Sequence, residues 1–242
     1  VVEDLTDPRD GPPRLAYAGH LYEQSVHDGG GWSPDSPYLD EWERYRPDEA
    51  ARMDGALWFG EWGGAPDQDR MAEFIQDTTA MADRQMAGWA WWSWDPGGWS
   101  PVEEDGATVS PNGEALLRVQ PRAIAGTPTE FSWDPDTDVF EMAWDGRDDA
   151  HGPTELAVPA ALFDDGSLLV CDAHSGLLVV HPQTGEVEQL VLEVDGKPMR
   201  FCNNAAIASG GVIWFSDSSL HYGVEQWKDD FVQNTRTGRL LR

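Results

Sequence analysis

Leu57-Trp58-Phe59-Gly60-Glu61-Trp62-Gly63 is an apolar run that ends in a carboxylate set between glycines. It reads as a strand over 56–61, with Glu61 at its C-terminal end. Upstream, Tyr17-Ala18-Gly19-His20-Leu21-Tyr22-Glu23 gives a second short strand, over 15–22. Downstream, the tryptophan-rich Gly88-Trp89-Ala90-Trp91-Trp92-Ser93-Trp94 gives a third, over 88–94. Helical patterns lie between them. Residues 39–53 form an acidic one. From Asp69 to Met86 the residues Met71, Phe74, Ile75, Thr78, Met81 and Ala82 recur at three and four, an amphipathic helix. A short helix is expected over 113–119. Residues 1–14 read as a loop. Residues 23–38, with Gly29-Gly30-Gly31 and two prolines, read as a long one, the kind that is functional or mobile in compact domains. Strand and helix thus alternate over 15–120, an α/β arrangement.

Barrels of alternating strands and helices carry their catalytic groups at the C-terminal ends of the strands. Strands ending in His20 and Tyr22, then Glu61, then Trp92, in that order and spacing, resemble family 5 glycoside hydrolases, most closely the endoglycoceramidase-like branch. The resemblance implies that residues 1–120 are the C-terminal part of a (β/α)8 barrel. It implies a retaining hydrolase of O-glycosidic bonds in glycolipid or oligosaccharide, working without a cofactor. Glu61 takes the nucleophile position, His20 and Tyr22 orient it, and Trp92 floors the sugar subsite, where an indole face suits an apolar sugar face. Trp91 and Trp94 alternate to the other side and are expected to pack. A retaining mechanism needs a second carboxylate as acid/base. No Glu in 1–160 stands between Asn and Pro. Glu23, next to Tyr22, is a poor substitute, and Glu41, Glu43 and Glu49 read as solvated. The resemblance therefore implies a chain that begins partway through a barrel, an incomplete and inactive fragment.

After Pro121 the pattern changes. Phe131-Ser132-Trp133 and Val139 to Trp144 alternate around Asp134-Pro135-Asp136, a β-hairpin. It resembles the small β-sandwich that follows the barrel in the same branch, over 121–160. From about 161 short strands follow at 167–172, 176–180, 187–192 and 211–217, divided by Asp164-Asp165-Gly166, His174-Ser175-Gly176 and Gln183-Thr184-Gly185. Asp172 and Asp217 close two of these strands 45 residues apart, the period of a four-stranded propeller blade. Arg200 to Ala206, Trp214 to Ser219 and Thr237 to Leu241 resemble strictosidine synthase-like propellers, relatives of the gluconolactonase and paraoxonase group. The resemblance implies one to two blades of a six-bladed propeller over 161–242, so the fold class is α/β plus all-β. It implies the alternative function of a calcium-binding hydrolase or lyase. In the intact family Ca²⁺ lies on the axis, held by Asn, Asp and Glu oxygens. Asn203 matches the axial ligand position, and Asp172 and Asp217 match less well. Asn203-Asn204 also fits a turn. The two likenesses meet near 158–166, as an in-frame deletion between neighbouring genes or an assembly error would produce.

The composition bounds the partners. With 242 residues, 40% hydrophobic and 13 tryptophans, the chain has material for one large or two small domains. Its net charge is −28, with Lys197 and Lys228 the sole lysines. That excludes nucleic acid, which requires a basic footprint, and an anionic membrane surface. The charge is uneven, −23 over 1–160 and −5 over 161–242. Cys171 and Cys202 make no disulfide framework and read as buried free thiols. No run of 18 apolar residues is present. The chain reads as soluble, secreted or cytoplasmic, with compartment and oligomeric state left open by a sequence that begins with Val.

Overall fold

The computed structural model of the chain describes residues 6–11, 14–162, 167–181, 184–208 and 212–242. The expected turn at Asp164-Asp165-Gly166, Gln183, Gly211 and part of the expected junction lie outside these. The chain divides into two compact units, 1–162 and 163–242.

The first unit runs β1 (Ala16–Leu21), α1 (Gln24–His27), α2 (Tyr38–Ala51), β2 (Ala56–Trp62), α3 (Met71–Arg84), β3 (Gly88–Trp91) and α4 (Pro111–Leu116). The strands pair in parallel in the order β1-β2-β3. Parallel neighbours need a crossover, and α2 and α3 supply the two. Among the described residues the sheet has three strands and does not close into a barrel. Each apolar position of the 3.6-residue pattern in α3, from Met71 to Ala82, is buried. The segment 23–38 is not all loop. Glu23 accepts a hydrogen bond from the Val26 N–H at 2.9 Å and caps the single turn of α1, a local cap that loop composition conceals. Two acidic side chains expected in solvent are engaged instead. Glu43 receives Arg84 and Gln85, and Glu49 receives the Tyr17 hydroxyl and Arg46.

The core lies between the sheet and the helices. Phe59 meets Trp42 of α2 edge to face at 5.1 Å, and Trp62 meets Phe74 of α3 at 6.0 Å. Phe59 and Trp62 therefore share the helix-facing side, although strict alternation would put residues three apart on opposite sides. A break in register explains this. Gly19 pairs with Phe59, but His20 pairs with Glu61, so Gly60 is an extra residue in β2. Such a bulge reverses which side each later residue takes. A Cβ at residue 60 would stand 3.0 Å from the Ala18 carbonyl oxygen, so the position suits glycine. The consequence is that Glu61 leaves the core side, where Phe59 would have led it.

The unit continues with β4 (Gln120–Ala123), β5 (Gly126–Asp134), β6 (Val139–Gly146) and β7 (Glu155–Ala157). β5 and β6 form the expected hairpin, and β4 pairs antiparallel with β7. Arg118, just before β4, makes a buried ion pair with Asp83 of α3. That pair ties α3 to the chain entering β4.

The second unit runs β8 (Leu168–Asp172), β9 (Gly176–His181), β10 (Glu186–Val191), the short hairpin of β11 (Glu193–Val194) and β12 (Lys197–Pro198), then β13 (Cys202–Ile207), β14 (Ile213–Asp217), α5 (Trp227–Gln233) and β15 (Arg239–Leu241). It holds two antiparallel sheets, β10-β9-β8 and β13-β14-β15. Each has three strands among the described residues, where the 45-residue period predicts four. The stretch after β10 goes into the β11–β12 hairpin, and the stretch between β14 and β15 goes into α5. Leu177, Met199, Cys202 and Phe215 form a separate core. Cys171 and Cys202 are both free, and Cys202 is buried while Cys171 is half-buried. Their thiols share a hydrogen bond, which pushes Cys202 up and holds Cys171 below the ordinary thiol value. No helix among the described residues is long and apolar enough to cross a membrane.

Candidate active site

The pairing of β1 with β2 sets His20 directly beside Glu61 at the strand ends. The His20 Nδ1 stands 3.7 Å from Glu61 Oε1, beyond hydrogen-bond reach but close enough for charge to be felt. Tyr22, one residue past the end of β1, donates its hydroxyl to Glu61 Oε1 at 2.5 Å. Burial, then the hydrogen bond to the Glu61 carboxylate, hold the Tyr22 hydroxyl above the ordinary tyrosine value. The phenol therefore stays protonated at neutral pH and serves as a donor.

Trp92 follows β3 directly, and its N–H bonds the Trp62 carbonyl at 2.8 Å, one strand over from Glu61. Trp89 and Trp91 both pack on Trp62, at 5.6 and 4.8 Å, on the helix side. Alternation then assigns Trp92 to the side that Glu61 takes, and Trp92 is 51% exposed there. Trp91 packs as expected. Trp94 does not: it is 73% exposed, because β3 ends at Trp91 and the chain turns away before alternation can return Trp94 to the core. Glu23 is committed to capping α1 and to Ser36, so it is no acid/base for Glu61.

Two aromatic groups beside Tyr22 escaped the sequence reading. His27 of α1 and Trp99 lie 5.7 and 6.3 Å from the Tyr22 ring. Both sit in segments without periodicity, and their convergence is purely tertiary. Gly63 permits the close approach of the Trp92 backbone. A Cβ there would stand 2.4 Å from the Trp92 carbonyl oxygen and 3.5 Å from Cε3 of Trp99.

Residues 118–199 match the glycoside hydrolase family 5 C-terminal domain, a stretch that begins before β4 and continues past residue 162 through β12. The chain is 30% identical to endo-glycoceramidase II from Rhodococcus sp. in its ganglioside GM3 complex, with a TM-score of 0.59 over 75% of this chain and 43% of that one. The lactosyl-enzyme intermediate of the same enzyme superposes with a TM-score of 0.56, again at 30% identity, over 75% and 42%. The N-terminal part of this chain resembles the endoglycoceramidase branch of family 5. A second likeness covers 79 residues, 39% identical to Protein STRICTOSIDINE SYNTHASE-LIKE 13 of Arabidopsis thaliana, or 33% of this chain and 20% of that protein. The chain thus spans under half the length of the endoglycoceramidase structures and about a fifth of the strictosidine synthase-like protein.

The cation implied by the second likeness finds few donors. Asn203 lies within strand β13, next to an irregularity in its pairing with β14, and not in a turn. It is exposed. The Asp172 Oδ1 accepts the His174 and Ser175 N–H groups. Asp217, fully buried, accepts the N–H of Phe201 at 2.8 Å and of Arg200 at 3.2 Å, and receives the Arg239 guanidinium at 2.6 Å. Asp217 is thus spent on sheet closure through both oxygens, and Asp172 gives one oxygen to a turn. Among the described residues no three His, Cys, Asp or Glu side chains are grouped to hold a metal ion. Asn203 alone does not make the hard, many-oxygen shell that Ca²⁺ takes.

Proposed function

We propose that the first unit carries the nucleophile half of a retaining glycoside hydrolase site. Glu61 attacks the anomeric carbon of an O-glycoside, a glycolipid or an oligosaccharide. The observation that carries this reading is the Tyr22–Glu61 hydrogen bond at a parallel strand end, with His20 paired alongside and Trp92 on the next strand. A tyrosine donor keeps one carboxylate oxygen fixed and leaves the other free to attack. His20 adds positive charge beside it when protonated. Trp92 offers an exposed indole face for a sugar ring. The Rhodococcus relatives were captured with a ganglioside and as a lactosyl-enzyme intermediate, and this supports a glycolipid or lactosyl-type substrate here.

We assign no acid/base carboxylate to this chain, and the reading is tested without one. A 2,4-dinitrophenyl 2-deoxy-2-fluoro-β-lactoside expels a leaving group that needs no protonation and traps the glycosyl-enzyme ester. Intact-mass and peptide analysis are expected to find one fluorolactosyl group, on the peptide containing Glu61, and none in Glu61→Gln. Ordinary aryl lactosides should not turn over, because both steps then call on the second carboxylate. Absence of any label on Glu61 at millimolar reagent over a day would sink the proposal.

A further inference from the structure

Tyr22 has an exacting task but little of the usual support. It lies just beyond β1, off the ladder of strand hydrogen bonds. Its side chain still has two soft torsions, and its hydroxyl must meet Glu61 Oε1 at 2.5 Å. The neighbours that restrict the ring are His27, at 5.7 Å and 60°, and Trp99, at 6.3 Å and 53°. These two also meet each other edge to face, at 6.3 Å and 89°. The three rings form a closed set, with Tyr22 wedged against two partners from different segments.

Both partners are themselves anchored. His27 rides on α1, whose first turn is capped by the buried Glu23 carboxylate and whose Val26 is in the core. The Trp99 carbonyl accepts two donors, Trp91 Nε1 at 2.8 Å and Asn112 Nδ2 at 3.1 Å. Asn112, itself fully buried, also bonds the Gly64 carbonyl at 3.0 Å. Trp99 is thereby tied to β3, to α4 and to the segment that follows Glu61. A brace tied to the same strand ends as the carboxylate moves with them, which is what a fixed donor–acceptor distance requires.

We propose that Trp99 and His27 are positioning residues, bracing the Tyr22 ring so that its hydroxyl stays on Glu61. Edge-to-face and tilted contacts suit this role, because the positive edge of one ring meets the negative face of the next and resists rotation. The bracing acts on Glu61 only through Tyr22. The proposal takes its catalytic meaning from the reading of Glu61 as nucleophile, but its test uses no sugar, so the two fail separately.

The chain is labelled with ¹³Cζ-tyrosine and studied at neutral pH. The Tyr22 resonance is assigned by its loss in Tyr22→Phe. Glu61→Gln removes the charged acceptor and should displace it. Trp99→Ala should move the Tyr22 resonance to the position seen in Glu61→Gln, while the other tyrosine resonances stay in place. Trp99→Phe, which keeps a ring, should restore the wild-type position, and His27→Ala should move it part of the way. A Tyr22 resonance unmoved by both Trp99→Ala and His27→Ala, in folded protein, overturns the proposal, as does one unmoved by Glu61→Gln. If Trp99→Ala does not fold, His27→Ala, at an exposed position, decides by the same reading.

Discussion

Tyr22 concentrates the chemistry of this chain into one proton. Ionising its phenol would set a phenolate against the Glu61 carboxylate, and burial adds to that cost. The folded value therefore lies above the ordinary one of about 10. The sign follows from linkage: this group contributes stability that is fully present below about pH 10 and is lost as pH rises through its folded value. Glu61→Gln removes the neighbouring charge, so Tyr22 should ionise at lower pH in that variant. The check is tyrosinate absorbance near 295 nm on alkaline titration, with Tyr22→Phe subtracted to isolate the one group. An unchanged midpoint would mean that the carboxylate does not govern the phenol. Glu61, Tyr22, His20 and Trp92 could be read from sequence because each sits at or just past a strand end, where the order of residues is also the order in space. Trp99 and His27 could not, since nothing local distinguishes a loop tryptophan that meets a tyrosine 77 positions away from one that faces solvent.

The contact between α3 and the strand pairs after it rests on Asp83 and Arg118, both buried. Burial raises the Asp83 carboxyl above its ordinary range, and the charge and hydrogen bond of Arg118 oppose that rise. Removing one partner strands the other, so Asp83→Ala or Arg118→Ala should each cost the first unit about 3–5 kcal/mol. The double variant Asp83→Leu with Arg118→Met should cost much less than the sum, because no charge is then left unpaired. Urea unfolding of the four proteins measures the coupling, and additive losses would show that the pair does not act as a unit. The raised carboxyl also favours folding where it is protonated. That contribution is present below about pH 4 and is lost as pH rises through the folded value, so Asp83→Asn should flatten this part of the pH profile. Of the elements, α3 was legible because five apolar positions and Thr78 keep a helical period and all are buried. The bulge at Gly60 was not. A one-residue slip leaves no mark on an apolar run, yet it decides which side Glu61 faces. The 45-residue period in the second unit is real as spacing, but each sheet has three strands among the described residues, where β11, β12 and α5 take up residues that the period assigns to strands.

The two units have separate cores, one built on Phe59, Trp62, Phe74 and Ile75, the other on Leu177, Met199, Cys202 and Phe215. Each core draws its residues from one side of the division at residue 162. The sequence reading located the change of character near 158–166 from motif content and charge. Within the first unit the stretches 1–120 and 121–160 lie on the same side of that division. Units that share no core have no reason to unfold together, since cooperativity comes from shared buried contacts. Calorimetry of the whole chain should therefore resolve two transitions. Phe74 and Leu177 are fully buried, one in each core. Phe74→Ala should destabilise its own unit by about 3–5 kcal/mol and Leu177→Ala its own by about 2–5 kcal/mol. Each substitution should lower one transition and leave the other in place, because the two residues belong to different core clusters. A single transition that both substitutions lower together would show that the two likenesses have become one cooperative domain, and Glu61 would then have to be understood within a fold that neither family describes.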